Sequence, residues 1–363
     1  MPLRMPLPLA SAPQPGSTPA PAARSHALVD SHALADSHAL VDSFGRRHNN
    51  LRVSVTDRCN LRCTYCMPEE VVFRDRSELL SFEEITRFVT VAAGLGVTKV
   101  RLTGGEPLLR KDLHKLVRLL RAVPGITELG LTTNGLLLAE QAAALYEAGL
   151  RRLNVSLDTL DPTRFRELTR RPGIERVLAG LAEAKRLGFR PIKVNAVAIR
   201  GYAEHDVVPL ARYCRQHGFE LRFIEYMPIG AEAWERDKVF LASEVLELLT
   251  REVGELVPLG SDPHAPATDY AYRDGGGTVG VIAPVSRPFC HSCNRLRLTA
   301  DGKVRNCLFA RDEADAKALL RSGAPASELA ALIRRTVWAK WEGHEINTAW
   351  FVKPDRTMHA IGG

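Results

Sequence analysis

From residue 51 onward the chain alternates two apolar patterns. Short β-branched or leucine-rich runs fall at 51–55, 97–102, 126–132, 152–157, 191–199 and 219–226, and each reads as a strand. Between them, apolar residues recur every three to four positions at 81–95, 111–122, 139–148 and 174–187, the spacing of an amphipathic helix. Ser81 with Glu84 three residues on is a capping box that opens the first of these. Strand followed by helix, repeated, argues a parallel α/β sheet with right-handed crossovers. Six such units are too few to close an eight-stranded barrel, so the expectation is a partial (βα)6 TIM-type barrel with an open side. Polar residues gather at strand ends, Thr132, Thr133 and Asn134, Ser156 and Asp158, Glu225 and Met227, the face where α/β folds build sites.

The pattern changes at both ends. Residues 1–45 are rich in Ala, Pro and Ser and repeat SHALVD, SHALAD, SHALVD from Ser25 to Asp42. Such a segment lacks the apolar content for a core and is expected to be a disordered extension. Its histidines His26, His32 and His38 read as a solvated tail or, less simply, as metal ligands. It holds no apolar signal-peptide core, and Arg46-Arg47 leads into a strand rather than an export signal. Residues 46–240 make the barrel. Residues 241–363 add a glycine-rich turn at Gly275-Gly276-Gly277, a strand near 279–283, a hairpin signal at Asp301-Gly302 and helices near 312–320 and 326–342, a region expected to close the open side.

Composition narrows the classes. The 363 residues are 45% hydrophobic, enough for a sizeable core, and no run of 18 apolar residues suggests a membrane span. The net charge of +7 suits an anionic substrate, though it suits a merely basic surface as well. The reading is a cytoplasmic protein.

Chemistry concentrates in the seven cysteines. Cys214 sits in a helical pattern and reads as a small buried hydrophobe. The others form two triplets, Cys59, Cys63, Cys66 and Cys290, Cys293, Cys307. A 4Fe–4S cluster takes four thiolates, so a triplet leaves one iron open to a small molecule. A zinc site draws on Cys pairs or Cys with His, which leaves the second triplet, taken alone, open to zinc as well as iron. Gly104-Gly105 after a strand is either a plain tight turn or a place where backbone meets a ligand. Arg52, Arg101, Lys193, Arg295 and Arg297 are surface charges taken singly and a phosphate site if they converge.

Taken together, Leu51-Arg52-Val53-Ser54-Val55-Thr56-Asp57-Arg58-Cys59-Asn60, the first triplet, Thr103-Gly104-Gly105-Glu106-Pro107, Leu131-Thr132-Thr133-Asn134-Gly135, Asn154-Val155-Ser156-Leu157-Asp158, the second triplet with Arg295-Leu296-Arg297, and the terminal Gly362-Gly363 form a narrow pattern. From about residue 51 to 363 the chain resembles the GTP 3′,8-cyclases of molybdenum cofactor biosynthesis, a family of radical S-adenosylmethionine enzymes. The resemblance implies two 4Fe–4S clusters, the first on Cys59, Cys63 and Cys66 and the second on Cys290, Cys293 and Cys307. It implies S-adenosylmethionine contacts at Tyr65, Gly105, Ser156 and Met227, and GTP contacts at Arg52, Arg101, Thr132, Lys193, Arg295, Leu296 and Arg297. Arg52, Arg295, Arg297, Gly362 and Gly363 then serve catalysis. His359 departs from the family pattern at a place expected to touch no ligand.

The implied reaction is radical: a 5′-deoxyadenosyl radical removes the ribose 3′ hydrogen of GTP, and C3′ joins C8 of guanine. The implied partners are GTP, an external electron donor and the next enzyme, cyclic pyranopterin monophosphate synthase, which takes the product. A homodimer is compatible with the resemblance; nucleic acid and membrane are not part of it. Two other readings are a peptide-modifying radical enzyme with an auxiliary cluster and a non-catalytic zinc-binding regulator.

Overall fold

Period-two alternation decides which groups the sheet turns inward. In β1 (Asn50–Ser54), Leu51 and Val53 are fully buried against the helices, which leaves Arg52 on the opposite face. The same alternation runs through β2 (Lys99–Thr103), β3 (Glu128–Thr133), β4 (Arg152–Ser156), β5 (Ile192–Ala198) and β6 (Glu220–Glu225). Most send Val, Leu, Ile or Phe outward and Arg, Thr, Asn, Ser or Lys inward, so the concave side of the sheet is largely polar, with Val197 and Ile224 among the exceptions. The computed structural model describes residues 39–230, 234–260 and 262–362. The first two repeats and the start of the third, with His26, His32 and His38, lie outside the described residues, and the compact unit that carries the sheet runs from His38 to Gly363.

The six strands pair in parallel and in chain order, as expected. Their outer face packs on α1 (Phe82–Gly94), α2 (Leu113–Arg121), α3 (Leu138–Glu147), α4 (Pro162–Thr169), α5 (Ile174–Leu187) and α6 (Ala203–His217). Leu51, Leu102, Leu131 and Val155 of the strands share one core with Phe88, Leu116, Leu145 and Leu181 of the helices. The capping box at Ser81 and Glu84 forms in full. Helix α4 escaped the periodicity because it is short; its signals were local, the Asp161 cap and Pro162 in the first turn.

The C-terminal region does more than cover an opening. After α7 (Ala242–Glu252) come β7 (Leu256–Pro258), β8 (Thr268–Tyr272), β9 (Thr278–Ile282), β10 (Arg295–Leu298), β11 (Lys303–Arg305) and β12 (Ala314–Asp315). β10 joins the β1 edge and β9 the β6 edge, both parallel, so eight parallel strands stand in a row with antiparallel pairs beyond each end. An open six-stranded sheet leaves two rows of unpaired backbone groups, and those rows are what the later strands satisfy. Then follow α8 (Ala316–Arg321), α9 (Ala326–Trp338) and α10 (Met358–Ile361).

The start of the fold also differs from expectation. Residues 39–45, assigned with the extension, belong to the packed unit: Leu40 is 2% exposed and Val41 bridges to Arg47. Buried Asp42 accepts from the Phe44 and Arg46 amides, from the Arg46 side chain at 2.6 Å and faces His48 at 3.0 Å. Low apolar content misleads here because a polar network holds the segment.

Candidate functional site

The loop after β1 carries the first triplet and is fixed by backbone. The Cys66 and Met67 amides both donate to the Cys63 carbonyl, and the Arg62 and Thr64 amides donate to the end of α4. The Gly105 amide donates to the Thr56 carbonyl at 2.8 Å, and the Glu106 amide to the Arg58 carbonyl at 2.7 Å. A Cβ on Gly105 would stand 2.4 Å from the Arg58 carbonyl oxygen, so only glycine admits this approach. Glu106 is fully buried and accepts from Leu108, Thr133 and Asn134; burial pushes its carboxyl up to about 7. It thereby ties the glycine turn to the end of β3. The Tyr65 hydroxyl donates to Asp158 at 2.6 Å, which ties the loop to the end of β4.

All three sulfurs of this triplet border one cavity, together with Tyr65, Gly105, Ser156 and Met227. Their hydrogen-bond donors are neutral: the Leu61 amide 3.4 Å from Cys59 and the Asn134 side chain 3.9 Å from it. Burial pushes Cys59 up to about 11 and Cys66 to about 12 and raises Cys63, so a soft metal would have to displace tightly held protons.

Across the same cavity runs a row of arginines set by sheet register. Arg52 of β1 lies opposite Arg297 of β10 on one side and Arg101 of β2 on the other. No carboxylate comes within ion-pair distance of these three among the described residues. Burial and the neighbouring guanidiniums lower Arg52; burial draws Arg101 to about 10 and, with Arg295 beside it, Arg297 to about 9. An Nη of Arg101 is buried without a partner. Such a row is built to receive an anion.

The second triplet stands behind Arg295. The Arg295 guanidinium lines the cavity and donates to the Cys293 sulfur at 3.4 Å from both Nε and Nη2. Lys340 donates to the same sulfur at 3.2 Å, and the His344 amide to Cys290 at 3.5 Å. Against the burial that would raise it, Arg295 and Lys340 bring the Cys293 thiol down to about 5. Cys307 packs beside Phe309, Ile346 and Ile361. All seven cysteines are free thiols, and Cys214 is buried in the core as expected.

No three His, Cys, Asp or Glu side chains among the described residues gather around a single-ion site. A cubane instead distributes its thiolates over separate irons. Two sets of three soft donors, each already hydrogen-bonded at sulfur, fit a pair of 4Fe–4S clusters on donor chemistry.

The tail reaches the arginine row. Gly362 turns at φ +88°, and a Cβ there would lie 2.7 Å from the Ser54 Cβ and 2.8 Å from the Thr103 Oγ1. Arg297 donates to the Gly362 carbonyl at 2.6 Å. Gly363 lies outside the described residues.

The sequence-predicted set therefore divides. Arg52, Arg101, Thr132, Arg295 and Arg297 share the cavity with the first triplet. Leu296 does not: it is fully buried in the core beside Leu51, because alternation on β10 turns it away from its two arginine neighbours. Lys193 also stands off the lining and is paired with Glu220. His359, expected clear of the ligands, lines the cavity and packs edge-on against Phe73. Three features escaped the sequence reading: Arg222, which lines the cavity and pairs with Asp269, and the cations Lys340 and Arg46. Position along a strand could have flagged Arg222, two residues into β6 in a row with Asn195; nothing local marks the other two.

Residues 53–214 match the Radical SAM superfamily and residues 219–346 match Molybdenum Cofactor Synthesis C. The fold is similar to that of Streptococcus suis SuiB bound to S-adenosylmethionine, at TM-score 0.56 and 16% identity over 79% of this chain and 68% of that one. It is also similar to anSMEcpe with bound AdoMet, at TM-score 0.55 and 16% identity over 82% of each chain. Cysteine loop, polar strand ends and eight parallel strands thus define a radical S-adenosylmethionine enzyme.

The relatives are more particular. A GTP 3′,8-cyclase of Rhodopirellula baltica is 48% identical over 88% of this chain and 91% of its own length. One from Mycolicibacterium smegmatis is 49% identical with the same coverage, and one from Thermodesulfovibrio yellowstonii is 43% identical over 88% of this chain and 99% of its own. The chain belongs to the GTP 3′,8-cyclase family. Its cofactors are those of the family, S-adenosylmethionine and 4Fe–4S clusters. The peptide-modifying and zinc-regulator readings fall with that membership.

Proposed function

We propose that this chain converts GTP to (8S)-3′,8-cyclo-7,8-dihydroguanosine 5′-triphosphate, the first step of molybdenum cofactor biosynthesis. The observation that carries the reading is the arginine row Arg297–Arg52–Arg101 in the cavity lined by the first triplet, with the second triplet behind Arg295. Cys59, Cys63 and Cys66 would hold the cluster, which with S-adenosylmethionine would supply one-electron radical chemistry.

The protein's own share is placement. Gly105 offers bare backbone, and it would hold S-adenosylmethionine together with Tyr65, Ser156 and Met227, which line the same cavity. Arg52, Arg101 and Arg297 hold the triphosphate, with each charge-assisted contact contributing about 1.5–3 kcal/mol. Thr132 adds a hydroxyl to the same wall. Lys193 and Arg222 serve the substrate after release from Glu220 and Asp269. Arg295 orients the guanine end, where its guanidinium meets Cys293. Gly362 fills the gap beside Ser54 and excludes water there, at a point where a side chain would collide.

No described helix is long and apolar enough to cross a membrane. With an intracellular nucleotide as substrate, a cytoplasmic site follows, with an external electron donor and cyclic pyranopterin monophosphate synthase as the consumer of the product. Anaerobic incubation with GTP, S-adenosylmethionine and reductant tests the proposal: the cyclised nucleotide and 5′-deoxyadenosine should appear together. 5′-Deoxyadenosine formed while GTP survives unchanged would refute it.

A further inference from the structure

Lys340 is 4% exposed, just past the end of α9. Its ammonium carries three donors, and all three are used: the Arg295 carbonyl at 3.0 Å, the Cys293 carbonyl at 3.4 Å and the Cys293 sulfur at 3.2 Å. No carboxylate pairs with it among the described residues. Buried lysines are costly without an anion, and among the described residues the groups that offer Lys340 negative charge are the thiolates of Cys293 and Cys307.

The surroundings keep that geometry rigid. Arg46 donates to the carbonyls of Trp341 and Glu342, the two residues after Lys340, and to the carbonyl of Cys290. Arg46 is held in turn by buried Asp42. The turn so clamped brings the Lys340 ammonium to Cys293 and the His344 amide to Cys290. Among the described residues no cationic side chain is seen donating to a sulfur of the first triplet: Arg62 reaches the Cys59 carbonyl, and the Cys59 sulfur takes an amide and a carboxamide.

We propose that Lys340 is the positioning residue of the second cysteine site: it fixes Cys293 against the start of β10 and, by placing a positive charge on that sulfur, raises the reduction potential of the cluster held there. Charge and hydrogen bonding at sulfur are the two levers a protein has on such a potential, and one ammonium applies both. The inference rests on the two-cluster reading above.

Potentiometric EPR on anaerobically reconstituted protein tests it, with Lys340→Gln compared to wild type. The second cluster is read alone in a Cys59→Ala/Cys63→Ala/Cys66→Ala background and again in the two-cluster protein. Lys340→Gln should keep its iron and shift the second cluster to a more negative midpoint while the first stays put; Lys340→Arg should restore most of the shift. An unchanged midpoint at full iron content overturns the proposal. If Lys340→Gln loses the second cluster, recovery of iron in Lys340→Arg supports a role for the cation, and failure to recover makes Lys340 a packing residue. Zinc in the wild-type second site would overturn the two-cluster reading itself, a result distinct from an iron cluster with an unmoved potential.

Discussion

Two cysteine triplets of the same size sit in opposite electrostatic surroundings. The first lies in one continuous loop, near Glu106 and Asp158, with neutral donors at sulfur and thiols that burial pushes up to about 11 and 12. The second draws on two separated segments and is faced by Arg295 and Lys340, which bring Cys293 down to about 5. Identical ligand counts therefore do not make equivalent sites. Backbone geometry makes the first; imported charge makes the second.

Removing each triplet separately breaks the comparison most completely. Reconstituted wild-type protein should hold about eight irons, and Cys290→Ala/Cys293→Ala/Cys307→Ala about four. That triple variant should still cleave some S-adenosylmethionine reductively while making no cyclised nucleotide. Cys63→Ala should lose both activities. Cofactor cleavage that survives Cys63→Ala would abolish the division of labour.

The second-largest effect should come from far outside the cavity. Arg46→Met removes the clamp on Trp341, Glu342 and Cys290 and strips the buried Asp42 carboxylate of its cation, leaving it His48 and two backbone amides. Breaking a buried pair from one side costs about 3–5 kcal/mol. The variant should melt earlier and lose iron from the second site before the first. Equal loss from both sites would mean that Arg46 supports the fold at large.

How much of this was legible in the sequence follows the same division. Six parallel strands, the Ser81 capping box and the first triplet were readable because period and spacing are local, and the loop's contacts are mostly to itself and to adjacent strand ends. The arginine row was half legible: Arg52, Arg101 and Arg297 could be named, but only the β10–β1–β2 register puts them side by side. Leu296 was carried along with its neighbours until strand alternation separated it. Arg46 and Lys340 were invisible, since Arg46 meets Glu342 and Cys290 across more than 240 residues and low apolar content hid the segment that holds it. Long-range polar contacts leave no periodic trace.

The tail sharpens the comparison because it reaches the wall between the two sites. Gly362→Ala would need a left-handed turn and a 2.7 Å approach to Ser54, a strain on the order of 2 kcal/mol against the docked tail. Yield of cyclised nucleotide should fall roughly tenfold or more, with both clusters and cofactor cleavage largely kept. Deleting Gly362 and Gly363 should do the same more severely. Wild-type yield from either variant would reduce the tail to a passive end.

The smallest expected effect isolates the first site from the second. Tyr65→Phe deletes one hydroxyl and nothing of the packing, so the Cys63–Cys66 turn keeps its backbone bonds to Cys63 and to α4. Asp158 loses the 2.6 Å donor but retains the Val197 amide at 2.8 Å, so its carboxylate is left short of one bond rather than bare. The cost is then about 1 kcal/mol, which in a chain of this size lowers the melting temperature by about 2 °C. Because the lost bond anchors the cysteine loop to β4, where Ser156 sits, the change should appear as weaker S-adenosylmethionine binding. GTP affinity should be untouched, since the arginine row rests on β1, β2 and β10. A variant that weakens both ligands equally would show that the two halves of the cavity are mechanically one, and the contrast between a backbone-built and a charge-built site would then stop at the cysteines.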